Sequence, residues 1–296
     1  MPQAQLLKPQ ELARLSNLQL LARRVVEGFI TGLHQSPYHG FSVEFAEHRP
    51  YLPGDSIRNI DWKVYARTDR FVIKRFEEET NLKGYILLDS SASMAFGSGS
   101  LSKLQYGIQL TAALSHLMIE QRDAVGLAIF DQKIKRLLPP RSVRSYLSQI
   151  FSELVNLEPS GKTGIAETLH RVAERMQRRG LVILISDLLD EPEEIISGLR
   201  HFRYDGHEVI VLQVIDPLER SFAFPRDARF RDLETDERII SQPWHLKDAY
   251  QKEMKGFLDE LKSGCRENRV DYALFDTSQP FDFALMEYLN KRKRLY

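Results

Sequence analysis

One cysteine, Cys265, is present in 296 residues, so no internal disulfide can form and the chain cannot be a disulfide-stapled scaffold. No excess of either charge exists: 41 basic side chains stand against 41 acidic ones, which argues against a broad electrostatic attraction to nucleic acid or to an anionic membrane. Long hydrophobic runs are missing too. The longest, such as Leu181 to Ile185, are strand-sized and far short of the roughly 20 residues of a membrane helix. The opening MPQAQLLKPQELARL lacks the basic start and continuous apolar core of a secretory signal, so the expected location is the cytoplasm, without membrane insertion. Enzyme signatures are sparse. FGSGS misplaces the glycines of a nucleophile elbow, no phosphate-binding G-x-x-x-x-G-K-[ST] loop occurs, and the eight histidines show no H-E-x-x-H spacing.

What is present is the balance of a globular chain, 43% hydrophobic and 28% charged, long enough to bury a substantial core. Residues 9 to 34 carry Leu12, Leu15, Leu18, Leu21, Val25 and Phe29 at helical spacing and predict one amphipathic helix, closed by the turn SPYHG. From Phe41 to Glu79 the runs FSVEFAEHRPY, DWKVYART and RFVIKRFEEE are rich in β-branched and aromatic residues and predict short strands of a ribbon. From Lys83 onward apolar strand runs (GYILLD, AVGLAIFD, LVILISD, HEVIVLQVID, VDYALFD) alternate with helical stretches near 103–121, 142–157, 164–179, 191–203, 245–267 and 280–293. That alternation predicts an α/β fold, a doubly wound, mostly parallel six-stranded sheet covered on both faces. IKRLLP follows AVGLAIFD too closely for a crossover helix and should pair antiparallel at an edge. The expected division is residues 1–80, an N-terminal helix and β-ribbon, and residues 81–296, the α/β domain with a hairpin insertion around 217–243. The basic tail NKRKRLY reads as a helix C-terminus complementing its own dipole.

Ligands of open α/β sheets collect beyond the carboxyl ends of the strands, where strand order reverses. Every parallel strand here ends at or near an aspartate: Asp89, Asp131, Asp187, Asp216 and Asp276. Asp suits turns and helix caps, and most of the five are expected to serve there. Asp89 differs in being followed by hydroxyls at two-residue spacing, Ser91 and Ser93, a carboxylate and two hydroxyls able to form part of the oxygen shell of a hard cation such as Mg²⁺. The alternative is a serine-rich turn capping the helix that begins near Ser102. Asp187 closes a strand that could neighbour the Asp89 strand. Thr163 in SGKTG supplies a third oxygen source or, equally well on the residues alone, an N-cap.

DSSAS, followed by Thr163 and then Asp187, resembles the metal-ion-dependent adhesion site of von Willebrand factor A domains. The resemblance covers about residues 80 to 293 and implies a metal site of Asp89, Ser91, Ser93, Thr163 and Asp187 holding Mg²⁺, Mn²⁺ or Ca²⁺. PGD-x-x-R-x-IDW-x-x-x-ART (Pro53 to Thr68), joined to LLDSSASMAFG and GHEVIVLQVIDPLE, is similar to a bacterial family catalogued as domain of unknown function fifty-eight, von Willebrand A-type proteins often encoded beside MoxR-type AAA+ ATPases. The resemblance implies a metal-dependent protein-binding adaptor whose ion is completed by a Glu or Asp from a partner. The partner it suggests is a MoxR-type ATPase or a client of it, in chaperone-like complex assembly. Many relatives carry N-terminal membrane helices, a segment this sequence does not show. In the ribbon, Arg58, Trp62 and Arg67 are candidate docking residues, because Trp and Arg are favoured interface anchors. The competing reading is an enzyme, a metal-dependent phosphatase or hydrolase with Asp89 as nucleophile. Such chemistry wants a second acid beside the nucleophile, and Ser90, Ser91, Ala92 and Ser93 offer none. No catalytic residues are therefore expected.

Overall fold

The computed structural model describes residues 15–23, 26, 42–51, 60–79, 82–162, 164–176, 179–224, 228–231, 238–241, 243–285, 287 and 289. The chain divides into two compact units, one of residues 35–82 and one of residues 1–34 with 83–296. The N-terminal helix thus groups with the sheet, whereas the sequence division at residue 80 groups it with the ribbon.

In the smaller unit, β1 (Ser42–Pro50) and β2 (Val72–Glu79) pair antiparallel, with a register shift between Phe45 and Glu47. DWKVYART, expected as a strand, is instead the helix α2 (Trp62–Thr68). Local capping decides this. The Asp61 carboxylate accepts from Lys63 N at 2.9 Å and Val64 N at 3.2 Å, and the helix is closed by Asp69 in the left-handed region (φ 51°). The aromatic content that suggested a strand is used off the helix, where Tyr65 stacks on Phe71 with centroids 4.4 Å apart. β-propensity measures fit to a half-buried surface, and a well-capped helix supplies such a surface equally well.

In the larger unit, α1 over residues 15–23 buries Leu18 and Ala22, and Val26 continues the stripe. The sheet comprises β3 (Lys83–Asp89), β4 (Ala124–Phe130), β5 (Ile134–Arg141), β6 (Leu181–Ser186), β7 (Glu208–Ile215) and β10 (Asp271–Asp276). Its order is β10-β7-β6-β3-β4-β5, with every neighbouring pair parallel except β4 and β5. The edge position and antiparallel sense of β5 are those expected from its short connection. A separate antiparallel pair, β8 (Ala228–Arg231) and β9 (Arg238–Ser241), lies within residues 217–243.

The helices are α3 (Lys103–Glu120), α4 (Ser145–Val155), α5 (Ile165–Arg175), α6 (Pro192–Tyr204), α7 (Pro217–Ser221) and α8 (Pro243–Glu267), with α9 over residues 281–285. Alternate strand positions point to opposite faces, so β6 is buried at all six positions. Leu87, Val182, Leu184, Val209 and Val211 join Leu169, Val172, Leu199, Phe202 and Leu261 in one core beneath α5, α6 and α8. On the other face α3 approaches so closely that a Cβ on Gly107 would meet Leu88 Cδ1 at 3.0 Å and Ile185 Cγ2 at 3.3 Å. Among the described residues no helix is long and apolar enough to cross a membrane.

Candidate metal centre

β3 and β6 lie side by side in the middle of the sheet, and the chain runs outward from them in opposite directions. Their carboxyl ends therefore open at the point where strand order reverses. Leu88 pairs with Ile185, which sets Asp89 beside Ser186 and brings Asp187 one residue further along the same crevice.

Asp89 is fully buried. Its Oδ1 accepts from Ser91 N at 2.8 Å and its Oδ2 from Ser186 Oγ at 2.6 Å. Burial pushes its pKa up to about 7, aided by the charge of Asp187 and opposed by the hydrogen bonds from Ser186 and Ser91. The turn after β3 continues into a 3₁₀ segment, Ala92–Ala95, whose first turn places Ser91 Oγ 3.0 Å from Ser93 Oγ. These serines do not cap α3. That cap is Ser102, whose hydroxyl accepts from Gln105 N while the Gln105 side chain accepts from Ser102 N.

Asp187 is also fully buried, and its environment is one the sequence did not foretell. Lys103 Nζ bonds Asp187 Oδ2 at 2.8 Å and Glu219 Oε1 at 2.6 Å, with the lysine side chain fully buried. Burial pulls the ammonium's pKa down, but Asp187 and Glu219 together outweigh it and hold it above the ordinary lysine value. Ser186 Oγ, which donates to Asp89, also accepts from Leu188 N at 3.0 Å. Leu188 itself sits at φ 55°, a left-handed conformation that costs a bulky residue about 1–2 kcal/mol. Its buried side chain and the Gln213 Nε2 bond to Asp187 O at 2.8 Å hold it there.

Thr163 lies outside the described residues, but the loop leading to it is anchored against the β3 turn. Ala92 N donates to Gly161 O at 2.9 Å and Ser160 N to Ser90 O at 2.9 Å. Lys135 Nζ ties three loops at once. It reaches Ser90 Oγ at 2.8 Å, Ser160 Oγ at 3.0 Å and Asp131 Oδ2 at 3.1 Å. Gly161 takes φ 81°, and a Cβ there would lie 2.3 Å from Asp131 Oδ2, so the tie requires glycine.

The remaining strand-end aspartates are turn and cap residues. Asp131 accepts from Lys133 N, Asp276 from Ser278 N and Oγ, and Asp216 caps α7 while holding Ser98. In the ribbon unit Arg58 lies outside the described residues. Trp62 is 55% exposed and Arg67 is exposed, but five helical steps set them about 140° apart around α2, so they do not share a face.

The donors present suit a small divalent cation. An octahedral ion with oxygens at about 2.0–2.1 Å has neighbouring ligands about 2.9–3.0 Å apart, and the two serine hydroxyls stand at 3.0 Å. Three carboxylates, Asp89, Asp187 and Glu219, are gathered here against the single Lys103 ammonium. Asp89, Ser91, Ser93 and Asp187 are the described residues that could hold such an ion. Among the described residues no cluster of three or more His, Cys, Asp or Glu side chains is placed for a metal, so a cation here would depend on hydroxyls.

The uncharacterized protein Rv1480 of Mycobacterium tuberculosis (strain H37Rv) is 27% identical over 232 residues, 77% of this chain and 72% of that protein. Among solved structures, the conserved hypothetical protein BatB from Bacteroides thetaiotaomicron aligns with a TM-score of 0.47 at 18% identity, over 72% of this chain and 99% of that one. The SpRpn10 VWA domain aligns with a TM-score of 0.40 at 11% identity, over 69% and 93% of the two chains. With structural likenesses this distant, the architecture rests on the strand order itself. Both units contribute to the family match, which runs from residue 47 in β1 to residue 255 in α8: the chain belongs to the family described as protein of unknown function DUF58.

Proposed function

We propose that this protein is a metal-dependent protein-binding module, without catalysis of its own, which docks an acidic side chain of a partner onto a divalent ion held at the carboxyl ends of β3 and β6. The observation that carries the reading is the convergence of Asp89 with the Ser91–Ser93 hydroxyl pair, 3.0 Å apart, beside Asp187. Asp89, Ser91 and Ser93 would hold the ion directly. Asp187 would act directly or through water, and Thr163 is assigned on the resemblance alone. Such an ion supplies an electron-poor position that a carboxylate can fill. The chain's own residues hold and orient the ligands: Ser186 aims Asp89, Lys135 braces the turn through Ser90, and Lys103 orients Asp187.

A binding role suits Asp89 better than the nucleophile's role. The residues that follow it, Ser90, Ser91, Ala92 and Ser93, bring no second acid to protonate a leaving group. The partner suggested by the family resemblance is a MoxR-type AAA+ ATPase or its client, encountered in the cytoplasm. Co-purification with that ATPase in Mg²⁺ and in EDTA, for wild type and for Ser91→Ala with Ser93→Ala, tests the reading. Recovery should fall in EDTA and in the double variant. Equal recovery in all four conditions would rule out the metal centre as the docking point.

A further inference from the structure

Lys103 is a buried cation in an unfavourable place. It is the first residue of α3, where the helix dipole disfavours positive charge, and its side chain is fully buried. Local helix preference therefore does not account for it. What stabilises the ammonium is the pair of carboxylates brought to it from β6 and α7, 84 and 116 residues away in sequence, with the Phe96 ring 5.9 Å from Nζ. One of those carboxylates, Asp187, belongs to the candidate metal centre. The other does not. Glu219 is fixed independently, its Oε2 accepting from Asp216 N at 3.3 Å within the cap of α7.

We propose that Lys103 is a resident cation that competes with a divalent ion for Asp187 and so sets the metal affinity of the centre, with Glu219 retaining the ammonium when the ion enters. This rests on the metal reading above. A divalent ion at Asp89, Ser91 and Ser93 shares the charge of Asp187 with the ammonium, and two cations near one carboxylate in a buried site repel. Glu219 makes the exchange possible, because an ammonium stripped of every carboxylate would be an unpaired buried charge. Lys103 is thus a positioning and affinity-setting residue, and the centre is tuned for weak, reversible metal occupancy.

The test is isothermal titration of the full chain with Mg²⁺ and Mn²⁺ for wild type, Lys103→Gln, Glu219→Gln, Asp89→Ala and Lys103→Gln combined with Asp89→Ala. Removing the resident charge should tighten binding roughly tenfold or more, and removing its alternative berth should weaken binding several-fold. Asp89→Ala should abolish the tight binding of the Lys103 variant. A lysine with only a packing role gives no such opposite pair of shifts. Unchanged affinity in both the Lys103 and Glu219 variants, with titration still lost in Asp89→Ala, overturns this proposal and leaves the metal centre standing. Binding confined to Lys103→Gln and lost on adding Asp89→Ala supports the proposal and removes metal dependence from the wild-type protein. Titration by no variant overturns both. If Lys103→Gln does not fold in EDTA, Glu219→Gln decides, and affinity equal to or above wild type overturns the proposal.

Discussion

Two strands of the same sheet end in fully buried aspartates that do opposite things. At the end of β7, Asp216 is saturated. Ser98 N and Oγ donate to it at 2.7 Å each, Leu218 N at 2.8 Å and Thr277 Oγ1 at 3.3 Å, so four donors meet the roughly four acceptor sites of a carboxylate. At the end of β3, Asp89 accepts two strong bonds among the described residues, faces a second carboxylate, and has its pKa pushed up to about 7 by burial and by that neighbour. A saturated buried carboxylate is a fastener. An under-satisfied one beside paired hydroxyls has capacity left for a ligand. Asp187 lies between the two cases, because its counter-charge is an ammonium built into the fold.

The contrast would break first at Asp216. Asp216→Ala removes a helix cap and the anchor of the Ser98 loop together, and denaturant unfolding should show a loss of about 3 kcal/mol. Because the same cap holds Glu219, the Mg²⁺ affinity of the remaining folded protein should also weaken, in the direction expected for Glu219→Gln. A loss below about 1 kcal/mol would mean that the four bonds do not act as a fastener. Next comes Gly161→Ala, which forces a side chain into a left-handed position and against Asp131. We expect a loss of about 1–2 kcal/mol and weaker metal binding through the loosened Lys135 tie. If the stability loss appears with metal affinity unchanged, that loop does not support the centre.

At Asp89 the signs should invert. Asp89→Asn keeps an acceptor while removing a poorly compensated buried charge, so stability in EDTA should stay level or rise by up to about 1 kcal/mol. The rise in melting temperature produced by Mg²⁺, which follows RT ln(1 + [L]/Kd), should vanish. Ser91→Ala with Ser93→Ala should likewise cost only about 1 kcal/mol, since it removes the bond between the two hydroxyls and the Ser91 hydroxyl's bond to Asp89 but no backbone bond. A purely pH-dependent effect is expected at the opposite end of β7. Glu208 is raised from 4.5 to about 7, first by burial and then by Asp271. A raised folded-state pKa gives stability that is complete below about 4.5 and lost as pH rises through 7. Melting curves should therefore show wild type losing ground to Glu208→Gln over that window, and parallel curves would exclude the effect.

Much of the architecture is legible without coordinates. Near-continuous apolar runs separated by helical spacing report strands buried on both faces, and the short IKRLLP connection leaves no room for a crossover, which fixes β5 as an antiparallel edge. The spacing of Asp89, Ser91 and Ser93 is equally local, as is the fact that each strand ends at an aspartate. DWKVYART is a helix and not a strand because the Asp61 side chain caps α2 two and three residues on, and that local cap outweighs the aromatic and β-branched content. Tyr65 and Phe71 then pack as a helix-to-loop stack and not as strand neighbours.

Periodicity, capping and spacing operate within a few residues of one another, so the order of residues alone sets the alternation, the strand ends and the oxygen donors placed there. Which of those donors are already taken depends on contacts between distant parts of the chain. Lys103 meets Asp187 across 84 residues, Ser98 meets Asp216 across 118, and Ser186 reaches Asp89 across 97 through the parallel register of β3 and β6. Hydrogen bonding and charge compensation depend on separation in space, and no local pattern distinguishes a saturated aspartate from one with room for an ion.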